Sequence, residues 1–240
     1  MANDNSSAGR SLLAIDCAAS LCAACIYDPA TGETTGREVR DLGRGHAEHL
    51  MDVISVALAT AGKSYADLGS IGVSVGPGSF TGVRVAVSTA RGLALALKIP
   101  AIGVTTLEAI AAQAFNVARQ PDGAGPQQVM SAIDAGRDGI YAAIYNRAGS
   151  MSYPPSIVTL EEAARLASRE SAALAGSAVR KIAPLLGEGE LIGFEGATAD
   201  IAVYARLAAD KSPGERPRPL YLRAPDAKPQ AGFVLPRRVQ

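Results

Sequence analysis

Three things missing from the sequence narrow its reading first: net charge, an uninterrupted apolar run of membrane length, and a fourth cysteine. Lysine plus arginine equals aspartate plus glutamate, 23 against 23. No global field therefore steers the chain onto nucleic acid or anionic lipid, and an RNA contact would need a local patch or a partner. No run of about 18 apolar residues is present, so no membrane-spanning helix is expected. The first nine residues, MANDNSSAG, lack the basic start and apolar stretch of a signal peptide and read as a loose terminus. These features lead us to expect a cytoplasmic protein. With 240 residues, 48% apolar and 19% charged, the chain can bury a sizeable core as one domain or as two lobes.

The three cysteines, Cys17, Cys22 and Cys25, fall at a C-x4-C-x2-C spacing that plant-type iron–sulfur proteins also use. A fourth thiolate is missing. The segment also reads as a strand, on which Cys22 and Cys25 point to opposite faces. The cysteines are therefore read as small buried hydrophobes. His46 and His49 are the only histidines. They share a helix face but have no third ligand and no His-Glu-x-x-His arrangement, so they are read as solvated or capping residues and no metal site is assigned.

What is present is a repeat. Strands at Ser11–Cys17 and Leu21–Tyr27 form one apolar hairpin, and a second spans Val129–Asn146, turned by Gly136-Arg137-Asp138-Gly139. Ala14-Ile15-Asp16 matches Ala132-Ile133-Asp134, and Ile26-Tyr27 matches Ile144-Tyr145, both at an offset of 118. A shared offset near half the chain length argues for internal duplication. Asp16 and Asp134 each end an apolar strand. Facing each other across a crevice, they would suit a magnesium–nucleotide ligand. Alternatively, each accepts backbone hydrogen bonds in its own turn. Both readings stand at this point.

The remainder alternates strand and helix: a helix over 46–61, a strand over 71–75, a helix over 83–97, a strand over 101–104 and a helix over 107–118. After the second hairpin, helices are expected over 160–169, 178–186 and 197–209, and a strand over 220–223. The Pro- and Gly-rich stretch 120–127 reads as a linker. The expected organisation is a first lobe at 10–119, a second at 128–212, a return segment at 213–227, and loose termini at 1–9 and 228–240. The last of these is a basic tail with Lys228, Arg237 and Arg238.

Between strand and helix lies Gly76-Pro77-Gly78-Ser79-Phe80-Thr81-Gly82. Gly76, Gly78 and Gly82 permit close backbone approach, and Ser79 or Thr81 suits the helix cap, so the loop resembles a phosphate cradle. It lacks the Gly-Lys-Ser/Thr ending of a Walker A loop and reads equally well as a structural turn. On the helix over 46–61, Leu50, Met51, Val53, Ile54, Ala57 and Leu58 belong to an apolar arc of roughly 220°, wider than packing on one sheet requires. Ala86, Ala90 and Ala94 on the next helix would let another helix approach closely. Together these residues are read as a partner interface.

The strings LLAIDCAAS at 12–20, GPGSFTGVRV at 76–85, AIDAGRDGIY at 132–141 and PLYLRAPDA at 219–227 resemble the TsaB (YeaZ) family over nearly all of residues 11–227. The resemblance implies an actin/Hsp70-like ATPase (ASKHA) α/β fold of two duplicated lobes. It also implies a cytoplasmic role with TsaD and TsaE in adding threonylcarbamoyl to the adenosine next to the anticodon of tRNAs that read ANN codons. In that system TsaD is the transferase and TsaB its required partner. Contact with tRNA is then expected through the complex, and a homodimer through the same apolar patch when TsaD is absent. No cofactor is assigned to this chain alone; ATP with magnesium is expected at the interface of the complex.

The catalytic paralogue carries a metal-binding His-x-x-x-His pair just after the strand that follows the glycine-loop helix. Thr106 and Ile110 stand in the matching places here. Isoleucine has no ligating atom, so that metal site cannot form, and no catalytic residue is assigned. Two rival readings are a small ATP-dependent phosphotransferase using Asp16 and Asp134, and a metallopeptidase. The first is disfavoured by the short chain and the second by the missing histidines.

Overall fold

The computed structural model describes residues 10–118, 125–137, 139–186 and 192–223. The expected termini at 1–9 and 228–240, most of the expected linker, and Asp138 of the second turn lie outside them.

The first half runs β1 (Ser11–Asp16), β2 (Leu21–Asp28), β3 (Glu33–Asp41), α1 (His46–Thr60), β4 (Leu68–Ser74), α2 (Phe80–Leu97), β5 (Ala101–Val104) and α3 (Thr106–Val117). The second runs β6 (Gln128–Asp134), β7 (Gly139–Asn146), β8 (Met151–Thr159), α4 (Leu160–Arg169), β9 (Ala173–Ala175), α5 (Val179–Ile182), β10 (Ile192–Phe194) and α6 (Ile201–Ala209). The first sheet has the order β3-β2-β1-β4-β5, and the second, read from its other edge, β8-β7-β6-β9-β10. β1 pairs antiparallel with β2 and parallel with β4; β6 pairs antiparallel with β7 and parallel with β9. The two sheets thus repeat one topology, and the hairpin duplication seen in the sequence extends to both whole sheets.

Two strands escape the sequence pattern for physical reasons. β3, ETTGREVRD, is a charged edge strand with a mostly exposed surface. β8 carries Pro154 and Pro155 and is also an edge. Charge and proline are the usual features of edges and obscure the alternation expected of a strand. β9 and β10 have three residues each, too few for a pattern. The strand expected over 220–223 does not form; that segment lies against the first lobe through one backbone bond, Leu220 N–H donating to the Val75 carbonyl at 2.8 Å.

Four apolar clusters build the core. α1 and α2 pack on one face of the first sheet, and α4 and α5 on one face of the second. The remaining faces are covered crosswise. α3, from the first half, places Leu107, Ile110, Ala111 and Ala114 against Val129, Ile133, Ala143 and Tyr145 of the second sheet. α6, from the second half, places Ile201, Tyr204, Ala205 and Ala208 against Leu12, Ala14, Ala23 and Cys25 of the first. The lobe limits expected from the sequence therefore need correcting: 106–117 packs with the second sheet and 201–209 with the first. Lys211 Nζ, donating to Glu108 Oε2 at 2.7 Å, ties the two crossing helices together.

The cysteines follow the strand geometry. Cys22 and Cys25 are buried on opposite faces of β2, in different clusters. His46 is buried rather than solvated, and His49 is exposed. α2, 18 residues long, is the one described helix long and apolar enough to cross a bilayer. It carries Arg84 and Arg91 and lays Val83, Ala86, Val87 and Ala90 into the core.

The expected interface needs the largest correction. Leu50, Val53, Ile54, Ala57, Leu58, Ala86, Ala90 and Ala94 are all buried in the first cluster; of the nine, only Met51 is exposed, at 46%. The wide apolar arc of α1 is taken up by β2, the unforeseen β3 and α2 together. Leu50→Ala should cost about 2–5 kcal/mol in urea unfolding. Met51→Glu should change stability by no more than about 0.5 kcal/mol. Equal effects of the two would contradict this packing.

Candidate functional site

Asp16 closes β1 and turns the chain: its Oδ1 accepts the Ala18 N–H at 2.9 Å. Asp134 repeats this at the end of β6, where Oδ1 accepts the Gly136 N–H at 3.0 Å. The turn role foreseen for these residues is thus present twice, at the same 118-residue offset.

Beyond the turn the two carboxylates differ. Asp16 is 1% exposed. Thr198, from the second half, donates its hydroxyl to Asp16 Oδ2 at 2.6 Å, and Tyr204 on α6 lies 2.8 Å from the same hydroxyl. Since the single Thr198 proton is committed to Asp16, the Tyr204 hydroxyl donates to Thr198. Burial holds the Asp16 carboxyl above the usual carboxylate range, while the neighbouring Ser74 and Thr198 hydroxyls and the Ala18 amide pull the other way. Asp134 is exposed and bound by Lys181 Nζ at 2.6 Å. Lys181 and the Gly136 amide hold its carboxyl below the usual range.

The cleft beside Asp16 has a volume of about 200 Å³ and is walled by Arg37, Gln113, Phe194, Thr198 and Asp200. Ligand pockets typically measure roughly 300–1,000 Å³. Asp134 is not among its lining residues. The residues present therefore do not fit a magnesium–nucleotide held by this chain: one carboxylate is sealed by a hydroxyl, the other is neutralised by a lysine, and the cleft is small.

The glycine loop packs against the Asp16 turn. Ser79 N–H donates to the Ala18 carbonyl at 2.7 Å, and Ser79 Oγ accepts the Gly82 N–H at 3.2 Å, capping α2. Thr81, the other candidate cap, is exposed in the first turn of the helix. Gly76 has φ 89°. A Cβ at Gly78 or Gly82 would run into the carbonyl of Ala18 or Cys17. These glycines therefore let a helix end press onto the β1 turn, and the Ser79 and Gly82 amides are already bonded within the protein.

One cluster was missed by sequence reasoning. Phe80 and Arg84, one turn apart on α2, meet Tyr221: the rings lie 5.7 Å apart, Arg84 Cζ sits 3.6 Å above the Phe80 ring, and Arg84 Nε donates to the Tyr221 hydroxyl at 2.6 Å. Arg223 Nη2 donates to the Gly136 carbonyl at 3.3 Å. The segment 217–223 thus straps the glycine loop to the second hairpin. The signal was present, since both partners belong to the strings that carried the family resemblance, but their proximity required the fold.

Asp16 has a measurable pH signature. Its pKa is raised in the folded state, so the fold binds more protons than the unfolded chain from about pH 4 up to that raised value, and stability is lost as pH rises through this window. Asp16→Asn cannot ionise. The urea midpoint of the wild type should fall relative to Asp16→Asn as pH rises from about 4; parallel midpoints would contradict the assignment.

Comparison with known proteins agrees with this architecture. A family model described as "TsaD: tRNA N6-adenosine threonylcarbamoyltransferase" matches residues 40–209. A TsaB protein of Escherichia coli is 34% identical over 136 residues, which cover 57% of this chain and 55% of that protein. The chain thus spans little more than half the length of that curated relative. An uncharacterized protein of Mycobacterium tuberculosis is 31% identical over 92% of this chain and 95% of its own. Among solved structures, YeaZ from Pseudomonas aeruginosa aligns with TM-score 0.67 at 23% identity, covering 89% of this chain and all of its own, and so shares this fold. The chain belongs to the family of the threonylcarbamoyltransferase model, and TsaB proteins are among its curated relatives.

Proposed function

We propose that this chain is a non-catalytic partner subunit in tRNA threonylcarbamoyladenosine biosynthesis, binding and activating TsaD alongside TsaE. The observation that carries this reading is the fate of the two positions where the catalytic paralogue has metal-binding histidines. Thr106 and Ile110 are both fully buried on α3, and Ile110 packs into the second sheet. An aliphatic side chain committed to the core offers a metal nothing, so the Lewis-acid activation of a carbamoyl donor would fall to the partner. The sealed Asp16 and the lysine-bound Asp134 point the same way.

The contact with TsaD is assigned to the outward faces of α1 and α2. Met51 is the residue of the expected interface that remains exposed there, and Phe80 is exposed on α2. Buried charge at an interface core is strongly unfavourable, so Met51→Glu should reduce co-purification with TsaD at least tenfold (about 1.4 kcal/mol) with the fold intact. Unchanged recovery of the pair would remove this face from the proposal.

The role itself is tested by reconstitution. TsaD, TsaE, tRNA and the threonylcarbamoyl donor are combined with or without this chain, and the modified nucleoside is measured by mass spectrometry. Modification is expected only with the chain present, and Asp16→Asn is expected to support it as wild type does. Modification without the chain, or its loss in Asp16→Asn while TsaD still co-purifies, would overturn the non-catalytic reading.

A further inference from the structure

A larger concavity lies away from the Asp16 cleft, at the end of α2. It measures about 470 Å³ and is formed by the last turns of α2, the chain leading into β5, and the segment after α6. Its walls combine Arg91, Lys98 and Arg216 with Leu95, Ile99 and Pro100. No carboxylate lines it; Glu215, beside Arg216 in the chain, is not among the lining residues. Among the described residues none of the three cations forms an ion pair.

Three features of this pocket are left unexplained by folding. Three like charges from two separate elements converge without a counter-charge, in a chain whose charges balance overall. Attraction to the carbonyl end of α2 accounts for Lys98 at its C-cap but not for Arg91 or Arg216. Leu95 is 74% exposed at the wall although the core lies one helix face away. Lys98 closes α2 with φ 56°, a left-handed conformation in which glycine carries no steric penalty. A lysine retained there presents an ammonium group at the rim. The volume is within the range of small-molecule sites.

We propose that this pocket binds a small organic anion, a phosphate or carboxylate carried on a flat apolar body. The acid group would sit among Arg91, Lys98 and Arg216, and the apolar body on Leu95, Ile99 and Pro100. Guanidinium groups pair with either oxyanion in a bidentate manner, and the apolar wall selects against a bare ion. The inference is independent of the role proposed above: modification of tRNA and occupancy of this pocket can succeed or fail separately.

The probe is phenyl phosphate, with inorganic phosphate and phenol as controls, titrated into the full chain and followed by amide NMR. Phenyl phosphate should bind saturably in the millimolar range and shift the amides of Gly92, Ala94 and Gly214. Each control should bind at least about tenfold more weakly. The Arg91→Ala/Arg216→Ala variant, altered only at exposed positions, should weaken phenyl phosphate about tenfold or more while its other amides stay in place. Absence of saturable binding, equal binding of inorganic phosphate, or unchanged affinity in the double variant would overturn the proposal.

Discussion

Each sheet of this protein is apolar on both faces, and each half of the chain covers only one face of its own sheet. The structure depends on how the other two faces are buried. α3 leaves the first half to cover the second sheet, and α6 leaves the second half to cover the first. Removing either helix from its place would expose strands with no polar face to turn toward water. The two lobes are therefore energetically joined, and the ion pair between Lys211 and Glu108 links the exchanged helices.

The Asp16 site is a consequence of that exchange. Thr198 precedes α6, and packing α6 onto the first sheet brings its hydroxyl onto a carboxylate 182 residues away. A carboxylate at the carboxyl end of a central strand is ordinarily a ligand position in α/β sheets. Here the crossing chain occupies it. Asp134 meets a lysine instead, so the duplicated aspartates keep their shared turn geometry and lose equivalence in everything else. Divergence after duplication is visible in the charge of the neighbours rather than in the backbone.

The glycine loop belongs to the same frame. Its glycines allow a helix end to press against the β1 turn, its serine caps α2, and the strap at 217–223 closes over it through Tyr221 and Arg84. A string that resembles a phosphate cradle therefore serves here to fix α2 against β1. That position in turn sets the outward face of α2 and the cationic pocket at its far end.

The sequence by itself determined the duplicated hairpins, the aspartate that ends a strand in each, the glycine loop with a hydroxyl residue to cap its helix, and the family. All of these rest on local pattern: an apolar run, a residue at a fixed offset, a hydroxyl before a helix. It could not reveal β3 and β8, whose charges and prolines hide the strand alternation, nor the burial of Leu50 and its neighbours, which depends on β3. Only the tertiary structure decided which helix covers which sheet, that Thr198 seals Asp16, and that Arg91, Lys98 and Arg216 converge. The reason is physical: burial and charge pairing belong to two surfaces at once, and these surfaces come from segments that the chain keeps far apart.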